Sequence, residues 1–218
     1  MGVGLKDSAW RFTNINQAFQ YSPTYPRILA VPSRISDNVL KHMGGFRSKS
    51  RIPALSYIHQ CNKMTITRSS QPMTGLSQQR SIQDEKLVEA IFSSDFGGHT
   101  SRINYIMDAR PHANALAQTA MGAGTESQDH YRNSKVVYLN VENIHVVREC
   151  MTKLMDGKLN LSVACLNTEG IVSKAAIDKS GWLKHIQTII DGTFLIVRAV
   201  SIEKTHVLVH CRLTSFLS

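Results

Sequence analysis

The chain has few of the features that mark specialised protein classes. Only 7% of its 218 residues are aromatic, against 42% hydrophobic overall, and no aromatic-basic strand pattern of the kind that stacks nucleic-acid bases is present. Its four cysteines, Cys61, Cys150, Cys165 and Cys211, lie far apart without a CxxC pair. That spacing argues against a disulfide framework and a structural zinc site, and fits a reducing cytosol. No apolar run reaches the length of a membrane span. The opening Met1-Gly2-Val3-Gly4-Leu5-Lys6 lacks a signal-peptide core and has Lys6 where a myristoylation motif needs Ser or Thr. Membrane contact is therefore expected to be peripheral, and the sequon at Asn160-Leu161-Ser162 to be accidental. Acidic residues are outnumbered 16 to 25 by Lys and Arg, a net charge of +9 that attracts polyanions: nucleic acid, an acidic leaflet or a phosphorylated ligand. The basic residues are scattered, with no basic helix or zinc-finger spacing, so nucleic acid is the least favoured partner. Repeats and low-complexity tracts are absent, and the length suits one sizeable core.

Apolar strands alternate with amphipathic helices along the chain. Residues 1–35, punctuated by Pro23, Pro26 and Pro32, read as an irregular, ordered lead-in anchored by Trp10, Phe12, Phe19, Tyr21 and Tyr25. Ala54 to His59 and Met64 to Arg68 read as a strand pair. Ser81 with Asp84 three residues on has capping-box spacing and opens a helix with a buried stripe of Leu87, Val88, Ile91 and Phe92. Asn104 to Met107 is a strand delivering Asp108-Ala109-Arg110-Pro111 to a loop, followed by a helix over Ala113 to Met121. Val136 to Val141 is the next strand, and Asn143 starts a helix with Val146, Val147, Cys150 and Leu154 on its inner face. Residues 156–180 lack a period and read as a surface insertion. The sharpest helical pattern is Trp182, Leu183, Ile186, Ile189, Ile190, Phe194 and Val197, despite Gly192. Val207-Leu208-Val209 then forms a buried central strand ending at His210-Cys211. The class is α/β.

A cysteine at the carboxyl end of such a strand sits where open α/β sheets place ligands. If a loop and helix follow, backbone N–H groups lower its pKa and hold phosphate oxygens. The signature of that chemistry is His-Cys, five residues, then an Arg that clamps the phosphoryl group in bidentate fashion. The sixth residue after Cys211 is Leu217, and Arg212, next to the cysteine, is no substitute. On Val-Leu-Val-His-Cys alone, a buried structural cysteine is the plainer reading. Arg47, Arg51, Arg68 and Arg110 either line an anionic cleft or pair with buried carboxylates. His59, His145, His185 and His210 have no metal-ligand spacing, so neither a metal nor a cofactor is expected.

Several segments, in order, resemble the myotubularin family: Tyr-Ser-Pro-Thr-Tyr-Pro at 21–26, Phe-Arg-Ser-Lys-Ser-Arg-Ile-Pro-Ala-Leu-Ser-Tyr at 46–57, Thr-Arg-Ser-Ser-Gln-Pro at 67–72, and Asp-Ala-Arg-Pro-His-Ala-Asn-Ala at 108–115. Gly-Ala-Gly-Thr-Glu-Ser at 122–127, Asn-Ile-His-Val-Val-Arg-Glu at 143–149, Gly-Trp-Leu-Lys-His-Ile at 181–186 and Val-Leu-Val-His-Cys at 207–211 continue the series. The resemblance implies a cysteine-phosphatase (tyrosine-phosphatase-like) fold, with residues 36–211 as the first part of the phosphatase domain and 212–218 as a divergent tail. It implies removal of the 3-phosphate from phosphatidylinositol 3-phosphate and the 3,5-bisphosphate through a cysteinyl-phosphate. Cys211 matches the nucleophile. Asn143 and Gln118 match headgroup-contacting amides, although Gln118 departs from the family's Asn and Asn143 equally suits a helix N-cap. His210 is expected to orient the loop backbone rather than to carry protons. A cytoplasmic protein, peripheral on endosomal or vacuolar membranes, follows from the same resemblance. The partners it implies are a phosphoinositide headgroup and another myotubularin-family chain.

The family loop after the cysteine reads Ser-Asp-Gly-Trp-Asp-Arg, whereas here Arg-Leu-Thr-Ser-Phe-Leu-Ser follows. Two readings stand: an active family with an incomplete or misread copy of it, expected to be inactive as given, or a catalytically dead binding or regulatory chain. Against the second stands an expected cost, a last strand left bare as a sheet edge.

Overall fold

The computed structural model describes residues 9–94, 102–164 and 174–211, without the side chains of 157–164 and 176. Its centre is a five-stranded sheet with helices on both faces, the three-layer solution for strands that are apolar on both sides. The strands are β3 (Ala54–Ile58), β4 (Thr65–Ser69), β5 (Asn104–Asp108), β6 (Ser134–Tyr138) and β7 (Val207–His210). Their spatial order is β3-β4-β7-β5-β6; only β3 runs antiparallel to its neighbour. The last strand in sequence is thus inserted at the middle of the sheet. The expectation of a bare edge is overturned, because β4 and β5 hydrogen-bond to β7 on both sides.

The alternation along β7 divides the core. Val207 packs with Met64, Met107, Leu139, Ala199 and Val200 on one face, while Leu208 packs with Val88, Ile106 and Tyr131 on the other. The second face is covered by α2 (Ile82–Phe92), whose Leu87, Val88 and Ile91 are buried as its spacing predicts. Ser81 caps α2 by accepting from the Asp84 N–H. Asp84 does not complete a capping box: its carboxylate is fully buried and turned to Arg47.

The lead-in is more regular than its prolines suggest. β1 (Trp10–Thr13) and β2 (Leu29–Pro32) form a separate antiparallel pair, followed by α1 (Asp37–Met43). Trp10 and Tyr25 are buried as anchors, whereas Phe12 and Phe19 are exposed. The Tyr25 hydroxyl, within hydrogen-bond distance of the Ile52 and Arg68 carbonyls, ties this unit to the sheet.

Two further corrections concern helices. The expected insertion over 156–180 is instead helical where it is described: α4 runs Ile144–Ala164 and α5 runs Lys174–Ser180, with 165–173 outside the described residues. An interior Gly such as Gly157 costs about 1 kcal/mol, too little to end a helix of 21 residues. The other helix, α6 (Trp182–Ser201), is where the period places it, but its core-facing residues are Gly192, Ala199 and Val200. Leu183, Ile186, Ile189, Ile190, Phe194 and Val197, whose period identifies the helix, are exposed. Gly192 faces the Leu139 side chain, where a Cβ would make ordinary contact at 3.5 Å.

Candidate active site

Four parallel strands end together, and their register fixes one row across the sheet: Ser69, His210, Asp108 and Tyr138 are aligned in that order. Cys211 follows His210 by one residue and therefore emerges at the carboxyl crest of the central strand. It is half-buried, and a free thiol like Cys61 and Cys150; Cys165 lies outside the described residues. Burial pushes the Cys211 thiol up, Asp108 adds to that, and the charges of Arg110, Arg68 and Arg51 oppose it without prevailing. The expected lowering of this thiol's pKa is therefore not provided by the described residues.

A buried charge network lies under the crest. Arg47, whose side chain is fully buried, donates to both Asp84 oxygens at 2.8 and 2.6 Å, to Glu126 at 2.6 Å and to the Ser70 carbonyl at 3.1 Å. Glu126 Oε2 lies 2.9 Å from His210 Nε2, and His210 Nδ1 is 3.9 Å from Asp108 Oδ1. Burial alone would raise Glu126, but His210 and Arg47 together hold it far below the ordinary carboxylate range. Tyr131 donates to Asp84 at 2.7 Å. Its phenol is held far above its usual range by burial first and the Asp84 charge second, so it stays a donor. The side chain before Cys211 is thus braced through Glu126 and Arg47 to helix α2.

A second clamp flanks it. Arg110 reaches both Asp108 oxygens, the Gln118 Oε1 at 2.8 Å and the Gly124 carbonyl at 2.9 Å. A Cβ at Gly124 would fall 1.7 Å from Thr74 Oγ1, so any other residue there requires Thr74 to move. Of the four arginines considered for the site, Arg47 and Arg110 pair with buried carboxylates, while Arg51, Arg68 and Arg110 are the cations whose charges act on Cys211.

Gln118, on α3 (His112–Thr119), is joined to this cluster through Arg110. Asn143 is exposed at the start of α4, and its Oδ1 accepts from the His145 and Val146 N–H groups, an N-cap. Sequence reasoning gave no role to Glu126 and read Asp84 as a cap; the one signal available for Glu126 was a lone acid among small residues in Gly-Ala-Gly-Thr-Glu-Ser. A groove of about 630 Å³ beside α2, lined by Arg80, Lys86, Phe92 and Arg132 among others, includes none of Gln118, Asn143 and Cys211. Among the described residues, no cluster of three or more His, Cys, Asp or Glu is placed to hold a metal ion, and no helix is long and apolar enough to cross a membrane.

Comparison with known proteins identifies the family. Residues 1–214 match the family model of the myotubularin-like phosphatase domain. The phosphatidylinositol-3,5-bisphosphate 3-phosphatase MTMR2 of Pongo abelii is 42% identical over 208 residues, covering 95% of this chain and 31% of the relative. The Gallus gallus protein of the same name is also 42% identical, with 95% and 35% covered. Myotubularin of Xenopus tropicalis is 39% identical, with 95% and 33% covered. The chain spans about a third of the length of these relatives. With a family model matching nearly its whole length, the chain belongs to the myotubularin-like phosphatase family.

Proposed function

We propose that the chain has the cysteine-phosphatase fold and carries the nucleophile side of a phosphoinositide 3-phosphatase site. In this reading Cys211 attacks the 3-phosphate of phosphatidylinositol 3-phosphate or its 3,5-bisphosphate. The S–P bond forms as the bond to the inositol oxygen breaks, and water then releases phosphate from the cysteinyl-phosphate. The observation that carries it is Cys211 at the crest of β7 within the field of Arg51, Arg68 and Arg110. Relatives at 42% identity are named as 3-phosphatases of phosphatidylinositol 3,5-bisphosphate. Gln118 and Asn143 are the proposed headgroup contacts, and the substrate places the protein peripherally on the cytoplasmic face of endosomal or vacuolar membranes.

The 218-residue chain itself is proposed not to turn substrate over. Leu217 stands where a guanidinium should clamp the phosphoryl group. Losing such a donor costs about 2.7–4 kcal/mol of transition-state stabilisation, a factor of roughly 10² to 10³. A second reading, a binding or regulatory chain paired with another myotubularin-family protein, is favoured by the raised Cys211 thiol, which leaves little thiolate at neutral pH.

A chimera separates the two: residues 1–211 joined to the part of the Pongo abelii relative that follows its matching cysteine. Phosphate release from phosphatidylinositol 3-phosphate that disappears in Cys211→Ser supports the enzymatic reading. A folded chimera without release, or release that survives Cys211→Ser, refutes it.

A further inference from the structure

Away from the crest of the sheet, two helices bring a thiol and an imidazole together. Cys150 on α4 has its Sγ 3.2 Å from Nε2 of His185 on α6, across 35 residues of sequence. Both side chains are half-buried, so packing fixes the pair while solvent still reaches it. A cysteine in a helix contact more often fills space as a small hydrophobe. Filling space needs neither an imidazole nor the start of a helix beside it, and Cys150 has both. Gly181, the left-handed residue that precedes α6, lies against the sulfur: a Cβ there would stand 3.6 Å from Sγ. The thiol therefore sits at the positive end of a 20-residue helix, where negative charge developing on sulfur is favoured.

The surroundings select the reagent. Val146, Val147 and Leu154 stand one turn from Cys150 on α4, all half-buried, and Trp182 and Ile189 stand one turn from His185 on α6. The thiol is thus approached over apolar surface. Lys153, the nearby cation on α4, is bridged to Glu149 at 2.8 Å, so an anionic reagent finds no free positive charge there. An uncharged carbon electrophile with an apolar tail fits both conditions.

We propose that Cys150 and His185 form a modification site for uncharged α,β-unsaturated carbonyl compounds, with Cys150 as nucleophile and His185 as its proton carrier. His185 Nε2 takes the thiol proton as the sulfur lone pair forms the S–C bond to the β-carbon. The C=C π pair moves to the α-carbon, which receives that same proton from His185. No oxidant or reductant enters, and nothing leaves. The inference stands independently of the phosphatase reading, because it uses neither Cys211 nor the crest of the sheet.

Treatment of the full 218-residue chain with trans-2-hexenal tests it, with adducts fixed by borohydride and followed peptide by peptide in mass spectrometry. Cys150 is expected to react at least about tenfold faster than exposed Cys61, a modest share of what a positioned base can supply. That preference should vanish in guanidinium chloride, which separates the helices; the comparison of native with denatured protein needs no variant. His185→Ala is expected to slow Cys150 to the rate of Cys61 without changing Cys61, and free imidazole to restore the lost rate, which a merely structural histidine would not allow. The anionic enal 4-oxo-2-butenoate is expected to show little preference for Cys150. Adducts forming at Cys61 as fast as at Cys150 overturn the proposal. So do a preference that survives denaturant, a His185→Ala variant with undiminished rate or without rescue by imidazole, and equal preference for the anionic enal.

Discussion

Replacing Arg47 with methionine removes one guanidinium and strands two carboxylates. Asp84 and Glu126 have fully buried side chains, and Arg47 is the cation 2.6 Å from each of them. Methionine keeps much of the stem volume, so the loss is electrostatic rather than a cavity. Removing one partner from a buried ion pair costs about 3–5 kcal/mol. Whole domains are stable by only about 5–15 kcal/mol, so a large share of the folding free energy is at stake.

The deficit should also depend on pH in a definite sense. In the wild type Glu126 is held below its unfolded value by His210 and Arg47, acting against burial. It therefore contributes stability that is present above the unfolded carboxylate range and lost only as pH falls through its own lower value. Without Arg47, burial is opposed less and Glu126 moves up; a carboxylate raised above its unfolded value favours the folded state in acid. Urea unfolding of both proteins should thus show the largest difference near pH 7 and a smaller one near about pH 4.5. Adding Glu126→Gln to Arg47→Met should cost less than the two singles predict, by roughly 0.5–3 kcal/mol. A deficit under about 1 kcal/mol at pH 7, or one indifferent to pH, would refute the claim that this network braces α2 to the sheet.

The raised Cys211 thiol should react with iodoacetamide more slowly than exposed Cys61 at neutral pH, with a rate profile displaced to higher pH; mass spectrometry of the two peptides decides, and a faster Cys211 contradicts the burial argument. Gly192→Ala should stabilise the chain by about 0.5–1 kcal/mol in thermal unfolding, because its Cβ meets Leu139 at ordinary contact distance and the helix gains from the loss of glycine. Asn143→Ala should destabilise by about 1 kcal/mol and Asn143→Ser by much less, since Ser can cap α4 equally well. If binding to vesicles containing phosphatidylinositol 3-phosphate falls in both variants alike, the amide touches the headgroup as well as capping.

Local patterns made most elements legible. Alternation named the strand pair, the three- and four-residue steps named α2 and α6, and Val207-Leu208-Val209 announced a strand buried on both faces. What escaped was pairing at a distance. β1 and β2 are four residues each and hold together across the intervening proline-marked stretch, a pairing that no window of periodicity contains. Arg47 meets Asp84 and Glu126 over separations of 37 and 79 residues, so pairing with buried carboxylates is one of two readings of Arg47, while Asp84 reads locally as part of a cap and Glu126 carries no signal of its partner. The stripe on α6 identified the helix but not its packed side. A period reports that a helix has an apolar face, not whether the element that covers it is present, and the side that packs here is the one with Gly192 and Ala199.

The position of Cys211 follows from the register of β7, and that register is held by polar groups as much as by packing. His206, Leu208 and His210 point to the same face, the one covered by α2, because side chains alternate along a strand. At one end His206 Nδ1 lies 2.8 Å from Thr65 Oγ1, and the His206 backbone N–H donates to Asn104 Oδ1 at 2.9 Å. At the other end His210 meets Glu126 at 2.9 Å. A slip of one residue would turn both histidines toward Met107, Ala199 and Val200 and leave Glu126 facing a valine. Turning two imidazoles into that apolar surface strips them of the Thr65 and Glu126 contacts and costs several kcal/mol, more than the apolar contacts of a four-residue strand recover by sliding. The two histidines therefore pin the strand from both ends, and Cys211 emerges beside the ends of β4 and β5 because a neighbouring register would set both imidazoles among apolar side chains.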